Sequence, residues 1–189
     1  TPIPIALHAR STRREMDLSA REARSVLYWR PKAKPKDEEP NHTPSSSVGV
    51  KDRTDGHNVA ISHPEGRGLQ RAMTQALRDA KISAPDIDYV NAHAPSTSIG
   101  DASELKALKS IFPLPQEVML SSTKALTGHG LSLSSIMEAS FCCLALKDGF
   151  LPGSAHITEP DPEIGHLQLL RQTEQTQVKR ILSNSSGFG

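Results

Sequence analysis

The sequence predicts an α/β layered fold, and three observations carry that prediction. From Val48 onward, helix-period segments alternate with short apolar runs, the pattern of a sheet covered by helices. Two of those runs stop at polar residues of chemical use, His93 and Lys124, and a helical pattern soon follows each. A length of 189 residues suits one ordinary domain with a real core and is short for two.

Taken in order, residues 1–47 differ from the rest. Pro2, Pro4, Pro31, Pro35, Pro40 and Pro44 punctuate them, and 31–47 mixes Lys, Glu, Pro and Ser with little to bury. Such a stretch does not offset its ordering entropy and reads as a mobile segment ahead of an α/β domain over 48–189. Within it, Ser19-x-x-Glu22 suggests a capping box for a short helix through Trp29, stopped by Pro31. Leu69, Ala72, Met73, Ala76, Leu77 and Ala80 fall at helical spacing and predict a helix over 68–81. Residues 87–92 read as a strand. Asp101-x-x-Glu104 reads as a capping box that opens a helix burying Leu105, Leu108 and Phe112. Residues 118–121 are a second strand. Leu133, Ile136, Met137, Cys143 and Leu144 mark a further helix, with Gly149 as its C′ residue. Beyond the turn at Pro160 and Pro162 come strands at 167–170 and 180–183. The sequence stops directly after the last strand with no helix to cover it, as if cut.

Composition narrows the function classes. A formal net charge of +1 gives no electrostatic footprint for nucleic acid or an anionic membrane surface. Aromatics at 4% leave little for base stacking, and no apolar run is long enough to span a bilayer. Cys142 and Cys143 are adjacent and are the only cysteines, so no disulfide framework exists and a cytoplasmic or organellar-matrix setting is expected. The Arg-rich N-terminal stretch carries no signal core, and Glu15, Asp17 and Glu22 break the pattern of a transit peptide. His8, His42, His57, His63, His156 and His166 show no metal-ligand spacing, and there is neither a Walker loop nor a dinucleotide fingerprint. Neither a metal nor a cofactor is expected.

His93 follows a strand and precedes a turn at Pro95. A neutral imidazole there donates to a developing oxyanion or accepts a proton; the plain alternative is a histidine bonded to a loop carbonyl. Lys124 and His129, at the end of the neighbouring strand, fit a site that polarises a thioester carbonyl and stabilises an enolate, with Lys124 setting the protonation of its neighbours. A solvated lysine is the competing reading. Ser121-x-x-Lys124 also matches the serine–lysine pattern of acyl-serine enzymes, although the partner motifs are missing. Cys142 and Cys143 lie mid-helix among apolar residues and read as inert buried thiols. Glu138 means nothing if it faces water; facing inward, it needs a partner, and Lys124 is the candidate.

Four motifs in order then resemble one family. They are Asn91-Ala92-His93-Ala94-Pro95-Ser96-Thr97, Gly100-Asp101 with Glu104, Ser122-Thr123-Lys124-Ala125-Leu126-Thr127-Gly128-His129, and Ser183-Asn184-Ser185-Ser186-Gly187-Phe188-Gly189. Together they resemble the C-terminal half of a β-ketoacyl-[acyl-carrier-protein] synthase, a condensing enzyme with a thiolase-like layered α/β fold. The resemblance implies that His93 and His129 promote decarboxylation of a malonyl unit and stabilise the oxyanion. It likewise implies that Lys124 is the family's lysine with Glu138 its acidic neighbour, that Thr97 contacts the pantetheine arm, and that Phe188 gates the acyl site. The implied partner is acyl carrier protein bearing acyl and malonyl phosphopantetheine, in fatty-acid or polyketide synthesis.

The departures are specific. The family's nucleophilic cysteine belongs to an N-terminal half absent here, Pro95 replaces a threonine, and Gly130-Leu131-Ser132-Leu133-Ser134-Ser135 is bulkier than the family's small residues. The resemblance therefore implies a condensing half-site that needs a separate cysteine-bearing half or a full-length synthase as partner. A decarboxylase, a non-catalytic partner of a complete synthase, and a truncated relic are the alternatives.

Overall fold

The structure, a computed structural model, describes residues 21–29, 50–54, 57 and 61–188. Its centre is a six-stranded sheet formed by Arg21–Trp29 (β1), Val50–Thr54 (β2), Tyr89–Asn91 (β3), Met119–Ser121 (β4), Gln168–Leu169 (β6) and Arg180–Phe188 (β8), ordered β2-β1-β8-β3-β4-β6. Strands β8, β3, β4 and β6 run parallel, and β1 and β2 add an antiparallel edge. Phe150–Leu151 (β5) and Glu174–Gln175 (β7) form a separate two-stranded ribbon.

Helices cover both faces, which explains why the central strands are apolar throughout. Register sorts them by alternation: Val90, Leu120 and Leu182 lie abreast and join one core cluster, while Tyr89, Met119 and Ile181 lie abreast and pack in the other. The first cluster is closed by Arg67–Asp79 (α1) and Ser98–Ile111 (α2), through Met73, Leu77, Ala107, Leu108 and Phe112. The second is closed by Ser134–Asp148 (α4), through Cys142, Ala145 and Leu146. A one-turn helix, Lys124–Thr127 (α3), follows β4.

The periodicity of α1 is met in full: Leu69, Ala72, Met73, Ala76, Leu77 and Ala80 are all buried. Its N-cap, Gly66, has φ +61°, and a Cβ there would lie 2.3 Å from the Ser103 carbonyl oxygen of α2. Only glycine lets the two helices approach so closely. Gly149 closes α4 in the left-handed conformation, φ 75°, as expected for C′.

Two expectations are corrected, and one helix shows an unexpected face. Residues 21–29 form no helix; they are β1, paired with β8 from Arg21↔Phe188 to Trp29↔Arg180. That pairing satisfies the backbone of a nine-residue strand that would otherwise be a long open edge, and it overrides a local capping signal. A segment boundary at 47/48 thus does not coincide with the edge of the sheet, and residues 1–20 and 30–49 lie outside the described residues. Asp101-x-x-Glu104 is no capping box: α2 starts at Ser98 with Thr97 as N-cap, and Glu104 points inward. The apolar residues that mark α4 lie largely on its outer side, with Leu133, Ile136 and Leu144 exposed, while Ser134, Glu138 and Cys142 face in.

Candidate active site

Strands β3 and β4 are parallel neighbours, so their carboxyl ends open on the same edge of the sheet, where α/β folds bind ligands. His93 leaves the end of β3, and Lys124 and His129 lie on and just beyond α3, past the end of β4. The structure brings the two imidazoles together edge to face, with ring centroids 5.2 Å apart and an interplanar angle of 81°.

The His93 loop is held from below. Its own N–H donates to Glu104 Oε1 at 2.9 Å, and the Ala94 N–H donates to Oε2 at 2.8 Å. Asn184 on β8 donates through Nδ2 to the same Oε1 at 3.1 Å. Glu104 is buried; burial raises its pKa, and the three N–H donors oppose that shift by favouring the carboxylate. The backbone pays with positive φ at Ala94 (24°) and Ser96 (67°), conformations costly for side-chain-bearing residues.

Lys124 faces inward. Its Nζ pairs with Glu138 Oε1, both side chains being buried, and the Ser185 hydroxyl donates to Glu138 Oε2 at 3.0 Å. Burial raises the Glu138 pKa against the opposing pull of the Lys124 ammonium. The solvated-lysine reading is thereby excluded. So is the serine–lysine reading: Ser121 is fully buried, its hydroxyl donates to the Pro152 carbonyl at 2.5 Å, and it accepts from Tyr89 at 2.6 Å.

His129 is an exposed ring whose Nδ1 accepts the Leu131 N–H at 3.1 Å and lies 2.9 Å from the Ser134 hydroxyl. A backbone N–H can only donate, so Nδ1 is unprotonated and the proton of the neutral ring sits on Nε2. Burial, then the Lys124 charge, hold the His129 pKa below its ordinary value. A neutral imidazole presenting Nε2–H beside a fixed ammonium is suited to stabilising negative charge on oxygen.

Thr97 caps α2 at the exposed rim, where its N–H donates to Asp101 Oδ1 at 3.2 Å. Phe188 ends β8 opposite Arg21; its side chain lies outside the described residues. Cys142 is buried, and burial pushes its thiol far above the ordinary range, while Cys143 is raised for the same reason; neither is an activated nucleophile. Among the described residues no cluster of three or more His, Cys, Asp and Glu is placed to hold a metal ion, and no helix is long and apolar enough to cross a membrane. Sequence reasoning missed the brace formed by Glu104, Asn184, Ser185 and Ser134. Glu104 carried a signal, as a carboxylate on a helix face shared with Ala107 and Leu108.

A three-layer α/β frame with two histidines and a lysine–glutamate pair at the carboxyl ends of its parallel strands defines the C-terminal half of a thiolase-like condensing fold. The chain belongs to the β-ketoacyl synthase C-terminal domain family, which matches residues 45–158. It is 37% identical to 3-oxoacyl-[acyl-carrier-protein] synthase 2 of Staphylococcus aureus over 143 residues, covering 75% of this chain and 36% of that protein. Similar solved structures include the ishigamide ketosynthase/chain length factor (TM-score 0.65, 26% identity, 72% of this chain and 33% of that one). Another is a type II polyketide ketosynthase in complex with its acyl-carrier protein (TM-score 0.62, 25% identity, 67% of this chain and 33% of that one). The chain thus spans about a third of the length of the relatives it matches.

Proposed function

We propose that this chain supplies the decarboxylating half-site of a β-ketoacyl-acyl-carrier-protein synthase, in fatty-acid or polyketide synthesis, with acyl carrier protein delivering the malonyl thioester. The observation that carries the reading is the pairing of a neutral, Nε2-protonated His129 with His93, beside the buried Lys124–Glu138 pair. The malonyl C–CO2 bond breaks, CO2 leaves, and its electron pair forms an enolate whose oxygen accepts hydrogen bonds from the histidines. The enolate carbon then attacks an acyl thioester on a cysteine, and the thiolate leaves. Neither thiol among these 189 residues is activated, and we assign the nucleophile's role to a cysteine outside them, on a cysteine-bearing half or a full-length synthase. Thr97 is assigned to the pantetheine arm and Phe188 to gating the acyl pocket. The setting is cytoplasmic or an organellar matrix.

One observation supports a partner surface directly. Leu126, Leu131 and Leu133, 69%, 74% and 63% exposed, flank His129; bare leucines beside a polar site suit a surface that another protein covers. The test follows CO2 and β-ketoacyl product together by mass spectrometry, with malonyl and acyl carrier protein, with and without a cysteine-bearing half. CO2 release by the chain that is abolished in His93→Ala, with product only when the second half is present, is the expected result. Neither CO2 nor product in any mixture of folded protein refutes the reading.

A further inference from the structure

The first turn of α4 carries a buried hydroxyl whose bond is to the catalytic edge and not to the helix. Ser134 opens α4 and is 5% exposed, within the 130–135 stretch where this sequence departs from the family's small residues. The helix has no side-chain cap; the Ser134 hydroxyl instead lies 2.9 Å from His129 Nδ1. The direction of that bond follows from its neighbour. Nδ1 also accepts the Leu131 N–H at 3.1 Å, a group that can only donate. Nδ1 therefore holds a lone pair and no proton, and the Ser134 hydroxyl is a second donor to the same nitrogen.

The two donors stand on different foundations. Leu131 is exposed and sits at φ 49°, a conformation costly for a residue with a side chain. Ser134 heads a fifteen-residue helix fixed in the core by Cys142, Ala145 and Leu146. The loop between them is drawn tight on that helix: a Cβ on Gly130 would lie 3.0 Å from Met137 Sδ and 3.4 Å from the Ser134 nitrogen. Ser134 and Glu138 are four residues apart and share one face of α4, and Glu138 holds Lys124. One helix face thus reaches both the ring and the ammonium. We propose that Ser134 is a positioning residue: its hydroxyl ties the His129 ring to α4 and holds it as the Nε2–H tautomer. Resting on the function proposed above, this keeps Nε2–H the donor to the oxygen on which enolate charge develops. A ring that moved its proton to Nδ1 would present a lone pair at Nε2, which repels that oxygen.

The test compares the full chain as wild type, Ser134→Ala, Ser134→Thr and Ser140→Ala. It reads CO2 release from malonyl-pantetheine and, by NMR, the nitrogen chemical shifts of the His129 ring at a pH where only the two neutral tautomers exchange. Ser140 lies on the same helix with its hydroxyl donated to the Ile136 carbonyl at 2.9 Å, so its variant controls for the loss of a hydroxyl from α4. In Ser134→Ala kcat should fall roughly five- to tenfold at unchanged KM, the worth of about one hydrogen bond. The Nδ1 and Nε2 shifts should draw toward each other as the second tautomer is populated. Ser134→Thr, which keeps the hydroxyl, should restore both readings, and Ser140→Ala should alter neither. Should Ser134→Ala or Ser134→Thr lose its helical circular dichroism, Ser134→Cys, with its weak S–H donor, takes its place and should show a smaller change in the same direction. A folded Ser134→Ala in which either kcat or the ring shifts stay at the wild-type value overturns the proposal. A wild type that releases no CO2 overturns the half-site reading on which it rests, whereas equal release by wild type and Ser134→Ala overturns only the positioning role.

Discussion

His93 is 6% exposed and its loop is tied through Glu104 to β8, whereas His129 stands on open surface between exposed leucines. Both loops pass through the left-handed region, at Ala94 and Ser96 in one and at Leu131 in the other. Only the first is held there by a buried carboxylate. The contrast teaches that one histidine is positioned by this chain's own core, while the other is oriented locally, through Nδ1, on a surface suited to be covered. Lys124 belongs with the first group by burial and with the second by sequence, and it joins the two.

The largest effect is expected at that joint. Lys124→Met leaves Glu138 buried with only the Ser185 hydroxyl as partner, and breaking a buried pair costs about 3–5 kcal/mol. Lys124→Met/Glu138→Leu removes both charges and should recover most of that loss, while still abolishing CO2 release. Urea unfolding of the single and double variants measures it. A double variant no more stable than the single one would show that the pair is not an isolated ionic unit.

Glu104→Ala tests the braced side of the comparison. It strands the N–H groups of His93 and Ala94 and the Asn184 amide, and at about 1 kcal/mol or more for each unsatisfied buried donor the loss is about 3 kcal/mol. Amide exchange should quicken in residues 93–97 and not in 129–133. Equal quickening in both loops would erase the distinction between them.

These two sites also show what the sequence makes legible. The layered fold was readable because α1 and the β3, β4 and β8 segments carry strong periodicity or strong apolarity, and His93, Lys124 and His129 were readable because each follows a strand end. Residues 21–29 were not, since their strand pairs along its whole length with β8, across more than 150 positions of sequence separation; no local rule encodes that. Glu104 was misread because Asp-x-x-Glu at a helix start has a common local explanation, and the partner that decides otherwise is the backbone of another loop. The buried face of α4 was hidden for a related reason: its first half turns Ser134 and Glu138 inward and leaves Ile136 exposed, and only its second half, through Cys142, Ala145 and Leu146, packs on apolar groups.

The smallest effect, and the most selective one, concerns the proton on His129. Burial and the Lys124 charge place its folded-state pKa below the ordinary value of about 6.5. Above that ordinary value both folded and unfolded chains hold the ring neutral, and it contributes nothing to the pH dependence of folding. As pH falls through it, the unfolded chain takes up the proton first, so this residue's linkage progressively lowers stability until the lower, folded pKa is passed, below which the loss stays constant. NMR titration of the His129 ring isolates the effect from Glu104 and Glu138, whose raised values act in the opposite pH sense. The midpoint should lie below that of an unfolded-peptide histidine and move upward in Lys124→Met/Glu138→Leu. A midpoint unmoved in that variant would mean that the ammonium does not reach the exposed ring, and that the two histidines are tuned independently.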